Sequence, residues 1–229
     1  DAEDFKRLLG GYPPAVRAML GIRLDSITSM LGFYSFAFSF IALCGAIQGM
    51  NLGVSILSKE SRERTADFLL VKPVSRVSIV TAKLLAAVLM LLATDVVFYA
   101  AVSVLANAVK TSDFSHKLFF MVNLTLLFLQ LIFFSLGMAV SVFFKRLKSV
   151  LPLSLGVVFG LYLLGALIGA GRNDGAARYF SPFQYFRTDY ILRHSAYESP
   201  YLIAGAAVAV VSILVAYTVY VKKDIHAVS

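Results

Sequence analysis

Residues 84–109 read LLAAVLMLLATDVVFYAAVSVLANAV, a run of 26 residues without Lys or Arg. A bilayer core of about 30 Å requires about 20 mostly apolar residues in a helix that rises about 1.5 Å per residue. Four further runs satisfy this requirement: 33–57, 118–144, 149–170 and 200–221. Strands of a membrane barrel would instead alternate in polarity over about 10 residues. The sequence therefore predicts an all-α, polytopic helical membrane protein with five transmembrane helices in this chain.

The composition of the 229-residue chain excludes most soluble classes. It is 59% hydrophobic and only 15% charged, whereas soluble domains are about 45–50% apolar and about 25% charged. The mean hydropathy is +0.80. Cys44 is the only cysteine, which excludes a disulfide scaffold and a zinc site of several thiolates. We expect residues 1–229 to form a single membrane domain.

The basic residues predict the orientation of the helices. Eleven of the 21 Lys and Arg residues lie in the short segments 58–83, 145–148 and 222–229. Cytoplasmic loops carry the higher density of Lys and Arg, so these segments and the C-terminus are predicted to be cytoplasmic. Five spans then place Asp1 outside, and we expect an upstream transmembrane helix that the numbered chain lacks. The absence of a cleavable signal segment favours a prokaryotic plasma (inner) membrane.

Two segments outside the spans are amphipathic or aromatic. Residues 1–32 mix apolar and basic positions around a Gly-Gly-Tyr-Pro-Pro break at 10–14, which predicts two short helices in the outer interface. Residues 171–199 hold seven Tyr and Phe residues together with Arg. Aromatic rings with polar groups settle at the headgroup level. We therefore predict an interfacial or partly re-entrant outer segment in preference to a ligand-binding aromatic box.

Glycines within the first span predict close helix packing. Gly45, Gly49 and Gly53 are spaced four residues apart and share one helix face. Small residues at this spacing let another helix backbone approach closely. The pair Gly156 and Gly160 repeats the spacing in the fourth span, and tight packing is predicted there too.

Asp95 is the only acidic residue within an apolar run. An intramembrane carboxylate is a functional candidate by default, because it costs several kcal/mol unless it is paired or protonated. The alternative is a structural hydrogen bond to an amide on a neighbouring helix, such as Asn123 or Gln130. The runs contain no intramembrane base, and a proton-coupled pump needs several titratable groups, so the structural role is preferred.

No motif for catalysis or metal binding is present. His116, His194 and His226 lie outside the runs, and none has a second ligand at metal-binding spacing. A GxxxxGK[ST] phosphate loop and a GxSxG nucleophile motif are both absent from the sequence. We expect no catalytic residue, no metal and no cofactor bound by this chain. Any ATP that drives the protein must then bind to another chain.

The segment 58–83, which we call the elbow, reads SKESRERTADFLLVKPVSRVSIVTAK. Its first part is predicted to continue the first span as a short helix that carries Glu60 and Glu63. Pro73 disfavours helix at the preceding residue, and Ser75 is a plausible N-cap for a helix that starts at Arg76. The elbow is therefore predicted to be two helices joined at a proline corner. An apolar cluster among charges suits docking to a protein partner, although a solvated charged loop at the headgroups is the alternative.

The elbow resembles the corresponding loop of the type-2 ABC transporter permease family, which has acidic residues, paired leucines and a Pro-Val-Ser-Arg corner followed by Lys. The residues that carry the resemblance are Glu60, Glu63, Thr65, Asp67, Leu69, Leu70, Pro73, Val74, Ser75, Arg76 and Lys83. Arg64 stands where the family usually has Gly, and Asp67 replaces the usual Glu. Ser-Pro-Phe-Gln-Tyr-Phe at 181–186 and Lys-Lys-Asp-Ile at 222–225 extend the resemblance over nearly the whole chain. The family's six helices would also account for a missing first helix.

The resemblance implies the permease of an exporter with two membrane subunits and two cytoplasmic ATP-binding cassette subunits. The first implied partner is that ATPase, which would bind ATP and Mg. The other implied partners are a second permease copy or paralogue and membrane lipid. A nucleic-acid partner is not expected. Residues 58–70 would be the coupling helix. The residues expected to contact the ATPase or hold the corner are Glu60, Glu63, Asp67, Phe68, Leu69, Leu70, Pro73 and Arg76.

Two other functions compete with this interpretation. A stand-alone secondary transporter or channel would need pathway charges or interrupted helices in matching halves, and Asp95 is the only such residue. An intramembrane enzyme would need clustered acids, histidines or a nucleophile with its base at membrane depth, and the sequence contains none. Co-purification with an ATP-binding chain would separate the permease from both.

Overall fold

The computed structural model describes residues 2–13, 16–17, 29–63, 75–110, 113–144, 147, 149–171 and 175–222, and these ranges contain helices and no strand. The α-helices in them are α1 (Ala2–Gly10), α2 (Met30–Glu63), α3 (Arg76–Val109), α4 (His116–Phe143), α5 (Leu151–Ala170), α6 (Thr188–His194) and α7 (Ser199–Lys222). Two 3-10 helices, η1 (Ala177–Phe180) and η2 (Pro182–Gln184), lie between α5 and α6. The predicted all-α fold is confirmed.

Five of the described helices, α2 to α5 and α7, are long and apolar enough to cross a membrane. The apolar runs locate all five, but α2 and α3 are longer than their runs. Helix α2 continues to Glu63, and α3 already starts at Arg76. Backbone hydrogen bonds hold a helix together whatever its side chains are, so a helix need not end where its apolar run ends. The second short helix predicted within 1–32 lies mostly outside the described residues.

The bundle has two ends, which are identified by contacts between helices. At one end, Nη1 of Arg76 at the start of α3 lies 3.5 Å from the carbonyl oxygen of Val221 at the end of α7. This is the elbow end, where α2 also finishes. At the opposite end, the Tyr197 hydroxyl donates to the carbonyl oxygen of Met121 near the start of α4, at 2.9 Å. The segment that follows α5 therefore lies across the bundle from the elbow.

Helix α4 is the central helix. Gln130, Phe133, Phe134 and Met138 on α4 are almost completely buried, and α2, α3 and α7 pack around them. The other membrane helices leave broad apolar faces exposed, for example around Val97 of α3, which is 69% exposed. Apolar faces of this kind on membrane-spanning helices suit contact with lipid or with another subunit.

Glycines bring α2 into backbone contact with α4. A Cβ added at Gly49 would lie 2.5 Å from the carbonyl oxygen of Gln130. At Gly53 an added Cβ would meet the carbonyl oxygen of Phe134, and at Gly45 it would meet a leucine side chain of α4. A side chain at Gly49 or Gly53 would separate the helices, because it would meet the backbone of α4 in an interior that has no spare volume.

The segment 175–198 folds back onto the bundle in short turns and does not cross it. The Ser181 hydroxyl donates to the carbonyl oxygen of Leu161 on α5 at 2.8 Å. Nε2 of Gln184 donates to the carbonyl oxygen of Gly165, also at 2.8 Å. These bonds reach backbone oxygens of a membrane helix, so the segment is held against α5 by specific contacts.

Candidate functional site

The two helices of the elbow are joined directly by Lys83. This side chain lies two turns into α3, and its Nζ donates to the carbonyl oxygen of Ile56 on α2 at 2.7 Å. A hydrogen bond from a charged donor is stronger than a neutral one, and this one spans two helices. Displacement of either helix at this level therefore acts on the other.

The start of α3 has the N-cap that the sequence predicts. The Ser75 hydroxyl accepts a hydrogen bond from the backbone N–H of Ser78 at 3.1 Å, and Ser75 itself has extended backbone angles. One turn further, the Thr81 hydroxyl lies 2.9 Å from the Tyr217 hydroxyl of α7. Helix α3 is thus fixed at its first residue and tied to α7 close to the elbow end.

A buried apolar cluster lies behind the elbow and includes residues of four helices. Its buried members come from α2, α3, α4 and α7: Leu57, Val80, Ala87, Leu91, Phe134, Met138, Val142 and Ala216. Dense packing makes such a cluster move as a unit, because separating its members opens cavities. We call it the elbow-end core.

The residues predicted to contact a partner lie mostly outside the described residues. Glu60 and Glu63 are in the last turns of α2, where the structure describes the helix and not these side chains. Five others fall within 64–74, outside the described ranges: Asp67, Phe68, Leu69, Leu70 and Pro73. Arg76 is described, and its guanidinium lies next to α7 at Val221.

The predicted intramembrane residue Asp95 lies against the buried Gln130. Its two carboxylate oxygens are 2.8 and 3.1 Å from one terminal atom of the Gln130 side-chain amide. The other end of that amide is 3.3 Å from Oε1 of Gln48 on α2. Nε2 of Gln48 is in turn 3.5 Å from the Thr94 hydroxyl, next to Asp95 on α3. Four polar side chains of α2, α3 and α4 therefore meet within the membrane.

Asn123, the other partner considered for Asp95, lies elsewhere. Its Oδ1 accepts a hydrogen bond of 2.6 Å from the Tyr34 hydroxyl of α2, and its Nδ2 donates to the carbonyl oxygen of Phe119. Asn123 is two helical turns from Gln130 along α4, about 10 Å at 1.5 Å per residue. The sequence predicts both amides as candidate partners of Asp95, but the packing register of α3 against α4 decides which of them contacts it.

Sequence reasoning missed the most buried ion pair of the described residues. Arg178 of η1 donates to both carboxylate oxygens of Glu198 at 2.8 Å, and to the carbonyl oxygen of Gln184 at 2.9 and 3.2 Å. Its guanidinium also stacks 3.8 Å from the ring centroid of Tyr201. Arg178 and Glu198 are 20 residues apart in a segment without repeating pattern, so nothing in the sequence pairs them.

Tyrosines of the same segment are also held in buried positions. Burial raises the pKa of Tyr197 to about 12. Burial, and to a smaller extent the neighbouring Tyr179, raise the pKa of Tyr185, whose hydroxyl donates to the carbonyl oxygen of Tyr179 at 2.6 Å. The aromatic rings predicted to lie at headgroups thus have partners within the protein.

The described residues include potential metal ligands and one thiol. No group of three or more His, Cys, Asp or Glu side chains among them converges in a way that could hold a metal ion. Cys44 is a free thiol on an exposed face of α2.

Comparison with known proteins identifies the family. The family described as "ABC-2 family transporter protein" matches residues 10–225, which include all five membrane helices and the elbow. No curated protein and no solved structure gave a significant match. Members of this permease class are transport subunits and are not themselves catalytic. The resemblance seen in the sequence is confirmed: the chain belongs to the ABC-2 family of transporter proteins, as one of its membrane-spanning permeases.

Proposed function

We propose that this permease couples ATP hydrolysis by a separate cytoplasmic subunit to export of a substrate. The elbow would be the docking site of that ATPase, and residues 58–70 would be the coupling helix. ATP and Mg would bind to the partner, and two permease copies or paralogues would form the membrane part. The elbow end would then be the cytoplasmic side of a prokaryotic plasma membrane, which agrees with the density of Lys and Arg there.

The hydrogen bond from Lys83 to Ile56 is the observation that carries the proposal. A docked partner can move the bundle only if the elbow is mechanically continuous with the membrane helices. Helix α2 continues beyond its apolar run to Glu63, α3 starts at Arg76, and Lys83 ties them at 2.7 Å. A loop without such a link would absorb the displacement of a partner, whereas two joined helices transmit it.

The elbow-end core gives the displacement a route into the bundle. Leu57 of α2 and Val80 of α3 are buried in the same cluster as Met138 of the central helix. At Gly49 and Gly53, α2 contacts the backbone of α4 itself. Packed interfaces of this kind change between discrete arrangements and do not deform continuously. A shift of the elbow would therefore move α2, α3 and α4 together.

The sequence of the elbow supplies the contacts that a partner needs. Phe68, Leu69 and Leu70 form an apolar group suited to a hydrophobic groove. Glu60, Glu63 and Asp67 offer charged contacts around it, which help to fix the register of a partner and speed encounter. Specific interfaces usually have an apolar centre that is surrounded by polar and charged residues.

Two substitutions in the elbow test the proposal. In Leu69→Asp the apolar contact is replaced by a charge, and in Glu63→Arg the sign of a charged contact is reversed. We expect both variants to insert into the membrane normally, to lose transport, and to lose stimulation of the partner ATPase. Proteoliposomes that contain permease and ATPase would report transport and ATP hydrolysis in the same sample.

The matched control is Asp113→Arg, which makes the same charge reversal at the opposite end of the bundle. The Asp113 side chain is 98% exposed and pairs with Lys110 at 3.1 Å. We expect this variant to transport normally. Full transport with normal ATPase stimulation in both elbow variants would refute the docking role.

A further inference from the structure

The amide of Gln130 is fully enclosed and has a neighbour at each end. Gln130 is 1% exposed, so both ends of its amide must find partners inside the protein. One end faces the carboxylate of Asp95 at 2.8 and 3.1 Å. The other end faces Oε1 of Gln48 at 3.3 Å. A glutamine amide has one donor end and one acceptor end, so its orientation decides what each neighbour must be.

The first orientation requires a proton on Asp95. Nε2 of Gln130 then donates to Gln48 Oε1, and Nε2 of Gln48 donates to the Thr94 hydroxyl at 3.5 Å. The Thr94 hydroxyl donates to the carbonyl oxygen of Met90 at 2.8 Å. Oε1 of Gln130 is left facing the Asp95 oxygens. Two bare acceptors at 2.8 Å repel, whereas a protonated carboxyl donates to Oε1 and completes the chain.

The second orientation accommodates an ionised Asp95 and satisfies both ends of the Gln130 amide. Nε2 of Gln130 now donates to the carboxylate, and its Oε1 faces the Gln48 side chain. The end of Gln130 that faces α2 thereby changes from a donor to an acceptor. The protonation state of Asp95 thus decides which end of the Gln130 amide faces α3 and which end faces α2.

The described side chains around Asp95 are uncharged polar groups. The groups that reach it or continue its hydrogen-bond chain are amides and a hydroxyl from Gln130 on α4, Gln48 on α2 and Thr94 on α3. Charged residues of the four helices that pack together here lie at helix ends, apart from Lys83. Lys83 is twelve residues from Asp95, which is about 18 Å along the helix. Its side chain donates to the carbonyl oxygen of Ile56.

We propose that Asp95 is a proton-binding site within the membrane, and that its proton sets the orientation of the buried Gln130 amide, which links α3 to α4 and α2. With the proton bound, the carboxyl donates to Oε1 of Gln130, Nε2 of Gln130 donates to Gln48, and no net charge lies in lipid. Loss of the proton to water turns the Gln130 amide round, so the contact between α3 and α4 changes from a neutral pair to one that holds a charge within the membrane. The site takes a proton only, and it operates independently of the proposed docking of an ATPase.

Infrared spectroscopy of the full-length chain in lipid nanodiscs tests the site. A protonated carboxyl has a C=O stretching band that a carboxylate lacks, and all other acidic residues lie outside the apolar runs. At neutral pH we expect this band in the wild-type protein and its loss in Asp95→Asn. Asparagine keeps a donor towards Oε1 of Gln130, so this variant retains the first orientation. Asp113→Asn, which removes an exposed acid, is the control and leaves the band unchanged.

A second pair of variants keeps the proposal testable even if Asp95→Asn does not fold. Asp95→Glu should retain a protonated band at a shifted frequency, and Gln130→Leu should shift the band because it removes the acceptor. Raising the pH should diminish the band as the carboxyl ionises. A wild-type protein without the band at neutral pH, or a band that survives Asp95→Asn, would overturn the proposal.

Discussion

Removing the Arg178 guanidinium is expected to destabilise the protein strongly. In Arg178→Met the bidentate bonds to Glu198, at 2.8 Å each, and the bonds to the Gln184 carbonyl are lost together. The side chains of Arg178 and Glu198 are only 8% and 16% exposed, so water can rehydrate the abandoned carboxylate only in part. Breaking a buried pair from one side costs about 3–5 kcal/mol. The partial exposure of Glu198 places the expected loss near the lower limit, at about 3 kcal/mol.

Thermal unfolding in one detergent, followed by circular dichroism, measures this loss against a matched control. Lys110→Met also removes a cation from an ion pair, but its partner Asp113 is 98% exposed, and exposed pairs contribute little. The double variant Arg178→Met/Glu198→Leu should be more stable than Arg178→Met, because no unpaired charge remains buried. The reasoning fails if Arg178→Met melts like Lys110→Met, or if the second substitution adds to the loss.

Three further outcomes follow from the contacts described above. Gly49→Ala should lower stability by about 1–3 kcal/mol, because its Cβ would lie 2.5 Å from a backbone oxygen of α4. The control in the same melting assay is Gly156→Ala, whose Cβ would meet no atom of another described segment within 4 Å. Lys83→Met removes a bond that joins the elbow helices, so fewer substrate molecules should be transported per ATP in proteoliposomes, and an unchanged ratio would contradict this. Burial raises the pKa of Tyr197 from 10.0 to about 12. The stability that this burial provides is therefore present below pH 10 and is lost as the pH rises through about 12. In melting curves at alkaline pH, the variant Tyr197→Phe should lack this loss.

The membrane helices and the start of α3 could be predicted from local sequence. Spans follow from runs of apolar residues, because lipid excludes unpaired backbone and charge. Ser75 was recognisable as a cap because it lies two residues after Pro73 and directly before Arg76, where α3 starts, and capping depends on neighbours in sequence. Both features are decided within one helix, which is why no three-dimensional information was needed.

Contacts between helices could be predicted only in part. The same four-residue glycine spacing brings Gly49 against a helix backbone, whereas a Cβ added at Gly156 or Gly160 would meet no atom of another described segment within 4 Å. The spacing permits close approach, and the arrangement of the other helices decides whether it happens. Asp95 was identified as a buried acid, but its choice of Gln130 depends on the relative register of two helices. The pairing of Arg178 with Glu198 depends on how 175–198 folds back, which no periodic pattern encodes.

Site-specific cross-linking from the elbow tests most directly whether an ATPase docks there. Cys44 is the only cysteine, so Cys44→Ser gives a background in which Leu69→Cys and Asp113→Cys each supply one thiol for a photoactivated cross-linker. In native membranes, the account predicts an adduct from position 69 that contains an ATP-binding protein, and none from position 113. An adduct with that protein from position 113 alone, or no adduct from position 69 in membranes that still transport, would contradict it.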